Sequence, residues 1–167
     1  MNKRMVVLAV VIILVSFPVS HLWAQGNQER QSLSGLPGVA VIVGPIHADA
    51  ERDGLTADAL KTDVELWLRQ AGITVFSQPG DDFAGPAFPY LTVVVSTVKS
   101  GDSYALCKSV QMFQVVTSRV TGDGAIGSTW QASEVSIVSS ALLRDIRDDV
   151  KGIVDEFIND WLAVHPQ

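Results

Sequence analysis

Cysteine and histidine are scarce in this chain. Its 167 residues include one cysteine, Cys107, so no disulfide can form within the chain. A cysteine nucleophile needs a neighbouring group that lowers the pKa of its thiol, and beyond residue 24 the only histidines are His47 and His165. Unpaired cysteines are among the most buried residues. Because Cys107 lies in a strand-like stretch, we expect it to be buried and not catalytic.

Lysine and arginine are also few. The 12 basic side chains are outnumbered by 18 acidic ones, which gives a formal net charge of -6. The sequence has no cluster of basic residues that would neutralise a run of phosphates, which argues against nucleic acid and anionic lipid surfaces as partners. The acidic balance favours solubility and a basic partner.

A long apolar run is confined to the N-terminus. Lys3 and Arg4 precede the apolar stretch from Met5 to Phe17, which Pro18 then ends. With the small residue Ala24 at the cut, this pattern predicts a signal peptide over residues 1–24 and export to the periplasm or the outside. Its removal leaves 10 basic and 18 acidic side chains, a formal charge of -8.

The alternatives to a cleaved signal peptide are a retained membrane anchor and a lipid anchor. Met5 to Ala24 is just long enough for a retained anchor, since a membrane span needs about 20 apolar residues, but Pro18 and the polar residues near it favour cleavage. A lipid anchor would need a cysteine at the cleavage site, which the sequence does not have there. We therefore expect no stable membrane insertion after cleavage.

The remaining residues suit one domain. Residues 25–38 are polar, lack an apolar period and predict a flexible lead-in. Residues 39–165 carry strand and helix patterns throughout and predict a single α+β domain, which a chain of this size can stabilise without disulfides.

The first half of this domain predicts a strand, a helix and a parallel strand. Val39–Val43 is a continuous apolar run typical of a buried strand. Thr56 has the properties of a helix N-cap, and the apolar residues that follow have a helical period as far as Ala71. A second strand over Ile73–Phe76 would then pair in parallel with the first.

The second half predicts antiparallel strands and a helix. The strands cover about residues 91–98, 104–120 and 128–138, with a bulge near Glu134 because the apolar residues change faces there. A long amphipathic helix follows over about residues 140–164. The fold class is thus α+β, with two helices on one face of a mixed four- or five-stranded sheet, in the order β-α-β-β-β-β-α.

This order resembles a recurrent envelope architecture. It is similar to the N-terminal domain of TolB and to the lipoprotein that helps assemble the lipopolysaccharide transporter. The segments GVAVIVGPI at Gly38–Ile46 and ERDGLTADALKTDVELWLRQAGI at Glu51–Ile73 also resemble small exported bacterial proteins without a known activity. The resemblance to the envelope architecture implies protein binding, although this chain lacks the lipoprotein cysteine.

One acidic segment predicts a calcium site. Asp49, Glu51 and Asp53 alternate just before Gly54, as in a calcium-binding loop, but Leu60 stands where such a loop needs a bidentate carboxylate. The alternative is that these acidic residues only complement the positive end of the following helix.

The remaining candidates are acidic pairs and an acidic helix side. Asp81-Asp82 lies in a proline-rich loop. The polar side of the last helix carries Asp148, Asp149 and Glu156, which form either a solvated surface or a docking surface. Since no catalytic or cofactor motif is present, the sequence favours a non-enzymatic envelope protein that binds another protein. The alternative is a calcium- or small-ligand-binding protein or hydrolase that uses the acidic loops at 49–53 or 81–82.

Overall fold

The computed structural model describes residues 20–77 and 89–166. The helices and strands follow one another as α1 (Ser20–Gln31), β1 (Val39–Val43), α2 (Ala48–Arg52), α3 (Ala57–Gln70), β2 (Val75–Phe76), β3 (Tyr90–Ser100), β4 (Ser103–Thr117), β5 (Gly124–Ser139), a 3₁₀ helix (Ser140–Asp145) and α4 (Ile146–Val164).

The strands form one mixed sheet. Their order is β2-β1-β3-β4-β5, with β1 parallel to both neighbours and the pairs β3–β4 and β4–β5 antiparallel. This confirms the predicted α+β class. The edge strands differ greatly in length, since β2 has 2 residues and β5 has 16.

The start and end of α3 follow the predicted signals. The Thr56 hydroxyl accepts a hydrogen bond from the Ala59 amide at 3.3 Å, and Gly72, with φ 82°, follows the last turn. The apolar stripe Leu60, Val64 and Leu68 is fully buried. Glycine suits the position after the helix because other residues are strained at that φ.

The core lies between the helices and one face of the sheet, which we call the helix face. On β3 and β4 the residues of this face are buried alternately with exposed neighbours, and they join the buried stripes of α3 and α4 in one cluster. The other side of the sheet, the open face, carries Cys107, Val135 and Ile137 among the described residues. The helices of the described part therefore pack on one face, as predicted.

Three sequence interpretations need correction. Cys107 is exposed, because it lies one residue out of phase with the buried positions of β4. The irregularity in β5 lies where Ser128 and Trp130 pair with consecutive residues of β4, and not near Glu134. Trp130, Ala132 and Val138 lie on the helix face, whereas Val135 and Ile137 lie on the other face by regular alternation, without a bulge between them.

The predicted flexible lead-in is also structured. α1 extends to Gln31, and Leu33 just beyond it is fully buried in the core. The Arg30 Nε donates to the Asp160 carboxylate on α4 at 2.6 Å, and the Trp130 indole donates to the same carboxylate at 3.0 Å. A polar segment without an apolar period is thus held by Leu33 and Leu36, by the ion pair of Arg30 and by hydrogen bonds of Ser32 to Thr129 and Gln114.

A buried charge joins the sheet to α4. The Lys108 side chain is fully buried on the helix face, and its Nζ lies 2.6 Å from the Asp149 carboxylate and 3.2 Å from that of Glu134. An unpaired buried ammonium group would be very costly. The two carboxylates therefore allow a lysine to occupy a core position and fix α4 over β4 and β5.

Removal of one of these carboxylates should destabilise the fold. We expect Asp149→Ala to lower the free energy of unfolding by about 2 kcal/mol, less than for a fully enclosed pair because the Asp149 side chain is 41% exposed. The measurement is urea unfolding of the purified protein. Asp148→Ala, an exposed carboxylate one residue away, is the matched control and should change stability by less than about 0.5 kcal/mol. Equal effects of the two substitutions would contradict this role of Lys108.

Candidate functional site

The structure separates the three residues of the predicted calcium loop. Asp49, Glu51 and Asp53 lie on or just after the short helix α2, where His47 caps the first turn. Asp49 forms an ion pair with Arg52, whereas Glu51 is exposed. The Asp53 carboxylate points toward the sheet, where it accepts hydrogen bonds from β3 and β4.

Asp53 is held by two donors from the sheet. The same carboxylate oxygen accepts a hydrogen bond from Lys99 Nζ at 2.8 Å and from the hydroxyl of Tyr104 at 2.6 Å. The bond from Lys99 and then that from Tyr104 hold the pKa of the Asp53 carboxyl below its ordinary value of 3.8. The bond to Asp53 raises the pKa of Lys99 in turn. The cluster thus fastens the α2 segment to the sheet as an ion pair.

A metal ion would have to compete with these bonds. In residues 20–77 and 89–166, no three side chains of histidine, cysteine, aspartate or glutamate are grouped so that they could hold a metal ion. Calcium binding by Asp49, Glu51 and Asp53 stays a prediction. Asp81 and Asp82, the other acidic candidates, lie outside the described residues.

The acidic residues on α4 fall into two kinds. Asp148 and Glu156 are exposed, and neither forms an ion pair within the described part of the chain. Asp149 is bonded to Lys108 and contributes to the fold. Of the three residues predicted to bind a partner, only Asp148 and Glu156 are therefore available as surface charges.

The open face carries an apolar strip that the sequence analysis did not identify. Cross-strand pairing places Val98 beside Ala105 and Ala105 beside Ile137, with Cys107 and Val135 in the adjacent row. Val98, Val135 and Ile137 are 69%, 76% and 77% exposed. The signal in the sequence is that Val135 and Ile137 fall on the other face from Trp130 and Ala132, but this pattern predicted a bulge or register shift near Glu134 instead of an exposed strip.

The outer edge of β5 adjoins this strip. β5 pairs with β4 on one side, and among residues 20–77 and 89–166 no strand pairs with its other side. Alternate backbone N–H and C=O groups of an antiparallel edge strand point outward and can accept another strand. The strip and the edge together form a surface that can bind an extended polypeptide.

A shallow polar cleft of about 450 Å³ lies between α1 and the first half of β5. It is lined by Gln28, Glu29 and residues 128–131, which provide one carboxylate, amides and hydroxyls. General acid–base or nucleophilic catalysis needs a matched pair of reactive groups, and this lining does not supply one.

Comparisons with known proteins found likenesses among solved structures but not among families or curated proteins. No family model matches the chain, and no curated protein matches it. The fold is similar to that of one chain of a PelC variant dodecamer from Paraburkholderia phytofirmans, with 13% sequence identity and a TM-score of 0.43. The match covers 77% of this chain and 92% of that one.

None of the helices within residues 20–77 and 89–166 combines the length and the apolar character that a bilayer crossing requires.

The Asp53 cluster predicts a pH dependence of stability. Because its pKa is lowered in the folded protein, Asp53 stabilises the fold above pH 3.8, and this contribution is lost as the pH falls through the lower folded-state value. The difference in unfolding free energy between wild type and Asp53→Asn should therefore be constant near neutrality and shrink below pH 3.8. Urea unfolding at a series of pH values measures this difference.

The control is Glu51→Gln, which removes one negative charge from the same segment without breaking a hydrogen bond to the sheet. A wild-type advantage over Asp53→Asn that stays the same, or grows, as the pH falls would contradict the assignment.

Proposed function

We propose that this protein is an exported, non-enzymatic protein of the cell envelope that binds another protein by strand addition at the outer edge of β5. The observation that carries the proposal is the exposed β5 edge beside the apolar strip of Val98, Val135 and Ile137. Export is proposed from the N-terminal sequence pattern alone.

The composition of β5 supports strand addition. Proteins protect the edges of their sheets with lysines, prolines, bulges or very short strands. Within Gly124–Ser139 there is no lysine, arginine or proline, and Glu134 is the only charged residue. Since Glu134 is close to Lys108, its charge is partly neutralised within the protein. The bulge of β5 lies between Ser128 and Trp130, so the edge beyond it, over residues 132–139, has little to repel an incoming strand.

The apolar strip supports a protein partner in particular. Exposed apolar patches on an otherwise charged protein often mark interaction sites. A strand added next to β5 would place its own side chains beside Val135 and Ile137 and would cover apolar surface while it satisfies backbone groups. Backbone bonds would supply affinity, and the strip would select an apolar partner strand.

The acidic surface of α4 forms a second contact in this proposal. Asp148 and Glu156 project from the opposite side of the molecule to the open face, because α4 packs on the helix face. A partner that reaches this side would need basic groups. This contact would influence the association rate more than the stability of the complex.

Capture in the native envelope tests the strand-addition surface. The tagged chain, expressed with its own N-terminus, is cross-linked in cells and compared with an equally acidic exported protein. We expect a reproducible captured protein, and we expect Val135→Lys combined with Ile137→Lys to abolish its capture because two charges would block the edge and the strip. Ile126→Lys, an exposed site at the other end of β5, is the matched control.

Two results would overturn the proposal. One is that nothing is captured above the acidic control protein. The other is that capture is equal for the wild type, the Ile126→Lys control and the doubly substituted variant, with all three folded by circular dichroism. In that case the captured protein binds elsewhere.

Charge reversal tests the contact on α4 separately. We expect Asp148→Lys combined with Glu156→Lys to reduce partner association on the order of tenfold at low salt, with a smaller effect at high salt. Asp149 is left unchanged because it holds Lys108. Asp102→Lys combined with Asp123→Lys makes the same change of charge at exposed turns and is the control. If both variants associate with the partner equally well, α4 does not form the proposed contact.

A further inference from the structure

The exposed segment of β5 has a self-complementary pattern. Val135 and Ile137 lie on the open face, on either side of Ser136. If two copies of β5 pair antiparallel about a twofold axis at Ser136, Val135 of each copy lies opposite Ile137 of the other. Pairs of β-branched side chains directly opposite each other stabilise a sheet.

Neighbouring registers lack this match. An axis at Val135 would place Ile137 opposite Ser133, and an axis at Ile137 would place Val135 opposite Ser139. Each would leave one exposed apolar side chain opposite a hydroxyl. The pattern therefore favours the axis at Ser136.

The same register separates the only charge of β5 from its copy. Glu134 would lie opposite Val138 of the second copy, which places the two Glu134 residues four positions apart along the strands, or about 13 Å. Each Glu134 also keeps Lys108 within 3.2 Å. Repulsion between like charges thus does not oppose the pairing.

Ser136 provides an independent observation. Its hydroxyl oxygen is buried, yet it has no hydrogen-bond partner in the described part of the chain. Buried hydroxyl groups usually have a partner. In the proposed register the two Ser136 side chains lie opposite each other on the helix face, and a change of χ1 would turn each hydroxyl from its own chain toward the other copy, where serine pairs can form a hydrogen bond.

The described parts of the chain, residues 20–77 and 89–166, leave this part of the edge accessible. After β5 the Ser140 amide donates to the Asp102 carbonyl at 2.8 Å, so the chain turns inward toward the β3–β4 turn. α1 reaches β5 near Thr129, whose carbonyl accepts from the Ser32 hydroxyl at 3.1 Å. The edge over residues 132–139 lies between these two points.

We infer that the occupant of the β5 edge is a second copy of this chain, paired antiparallel about a twofold axis at Ser136. This inference rests on the proposed function, because it names the protein that the same edge binds. The two sheets would become continuous, and Val98, Val135 and Ile137 of both copies would form one apolar surface on the open face. A twofold interface of this kind is closed, since each edge is used once.

Disulfide cross-linking tests the register. In a Cys107→Ser background, Val135→Cys and Ile137→Cys variants are prepared separately, mixed and mildly oxidised. We expect dimers to form in the mixture, because the two sites lie directly opposite each other, but not from either variant alone, because its two cysteines would be diagonal neighbours about 7–8 Å apart. Ile126→Cys replaces either partner as the control and should give no dimer.

Sedimentation equilibrium tests the assembly. The sample is the protein expressed as the full chain and purified after the host cell has processed it. We expect a dimer for the wild type and for Ile126→Lys, and a monomer for Val135→Lys combined with Ile137→Lys. A monomeric wild type that still captures a different protein through β5 would overturn the second copy as occupant and leave the proposed function standing. A monomeric wild type that captures nothing would overturn both. A dimer that the double substitution does not dissociate would also overturn the inference.

Discussion

Coverage of the sheet by helices on one face determines most of this structure. Side chains alternate between the two faces of a strand, so the position of one buried residue assigns the faces along the regularly paired parts of β3, β4 and β5, which for β5 means Trp130 onward. Leu91, Val93 and Val95 enter the core, and the same phase places Cys107, Val135 and Ile137 outside it. Hydrophobic burial supplies the driving force on the helix face, and the residues left on the open face form the surface for which we propose binding.

Lys108 shows how strictly this alternation holds. The phase of β4 assigns a lysine to the core, and the protein accommodates it with carboxylates from a neighbouring strand and from α4. The ion pair also explains why the acidic residues of α4 are not equivalent. Asp149 has a structural role, whereas Asp148 beside it is free to act at the surface. A buried charged group of this kind fixes the relative position of the elements that share it.

Local signals in the sequence predicted local structure well. The Thr56 cap, the stripe of Leu60, Val64 and Leu68 and the glycine after the helix depend on residues within a few positions of one another, and α3 follows them. The prediction about Cys107 was wrong because β4 carries apolar residues on both faces. The buried phase of β4 includes Lys108, which is tolerated in the core because its partner Asp149, 41 residues away, neutralises it. No local pattern reports such a contact.

The candidate surface was harder to predict for a similar reason. Recognition of β5 as a long edge strand requires the strand order, in which β1 lies between β2 and β3. The acidic residues of the predicted calcium loop are visible in the sequence. The donors that bond to Asp53 are not, because Lys99 and Tyr104 follow it by 46 and 51 residues. Chemistry-bearing residues are visible in a sequence, whereas their partners depend on the fold.

Amide hydrogen exchange along β5 tests the central claim most directly, because it reports whether another chain covers the outward N–H groups of this edge. If β5 is the binding edge, the amides of residues 132–139 become protected as the protein concentration rises or the captured partner is added, while those of Gly124–Gly127 do not. Exchange in residues 132–139 that is the same under all these conditions would contradict the claim that β5 is the binding edge.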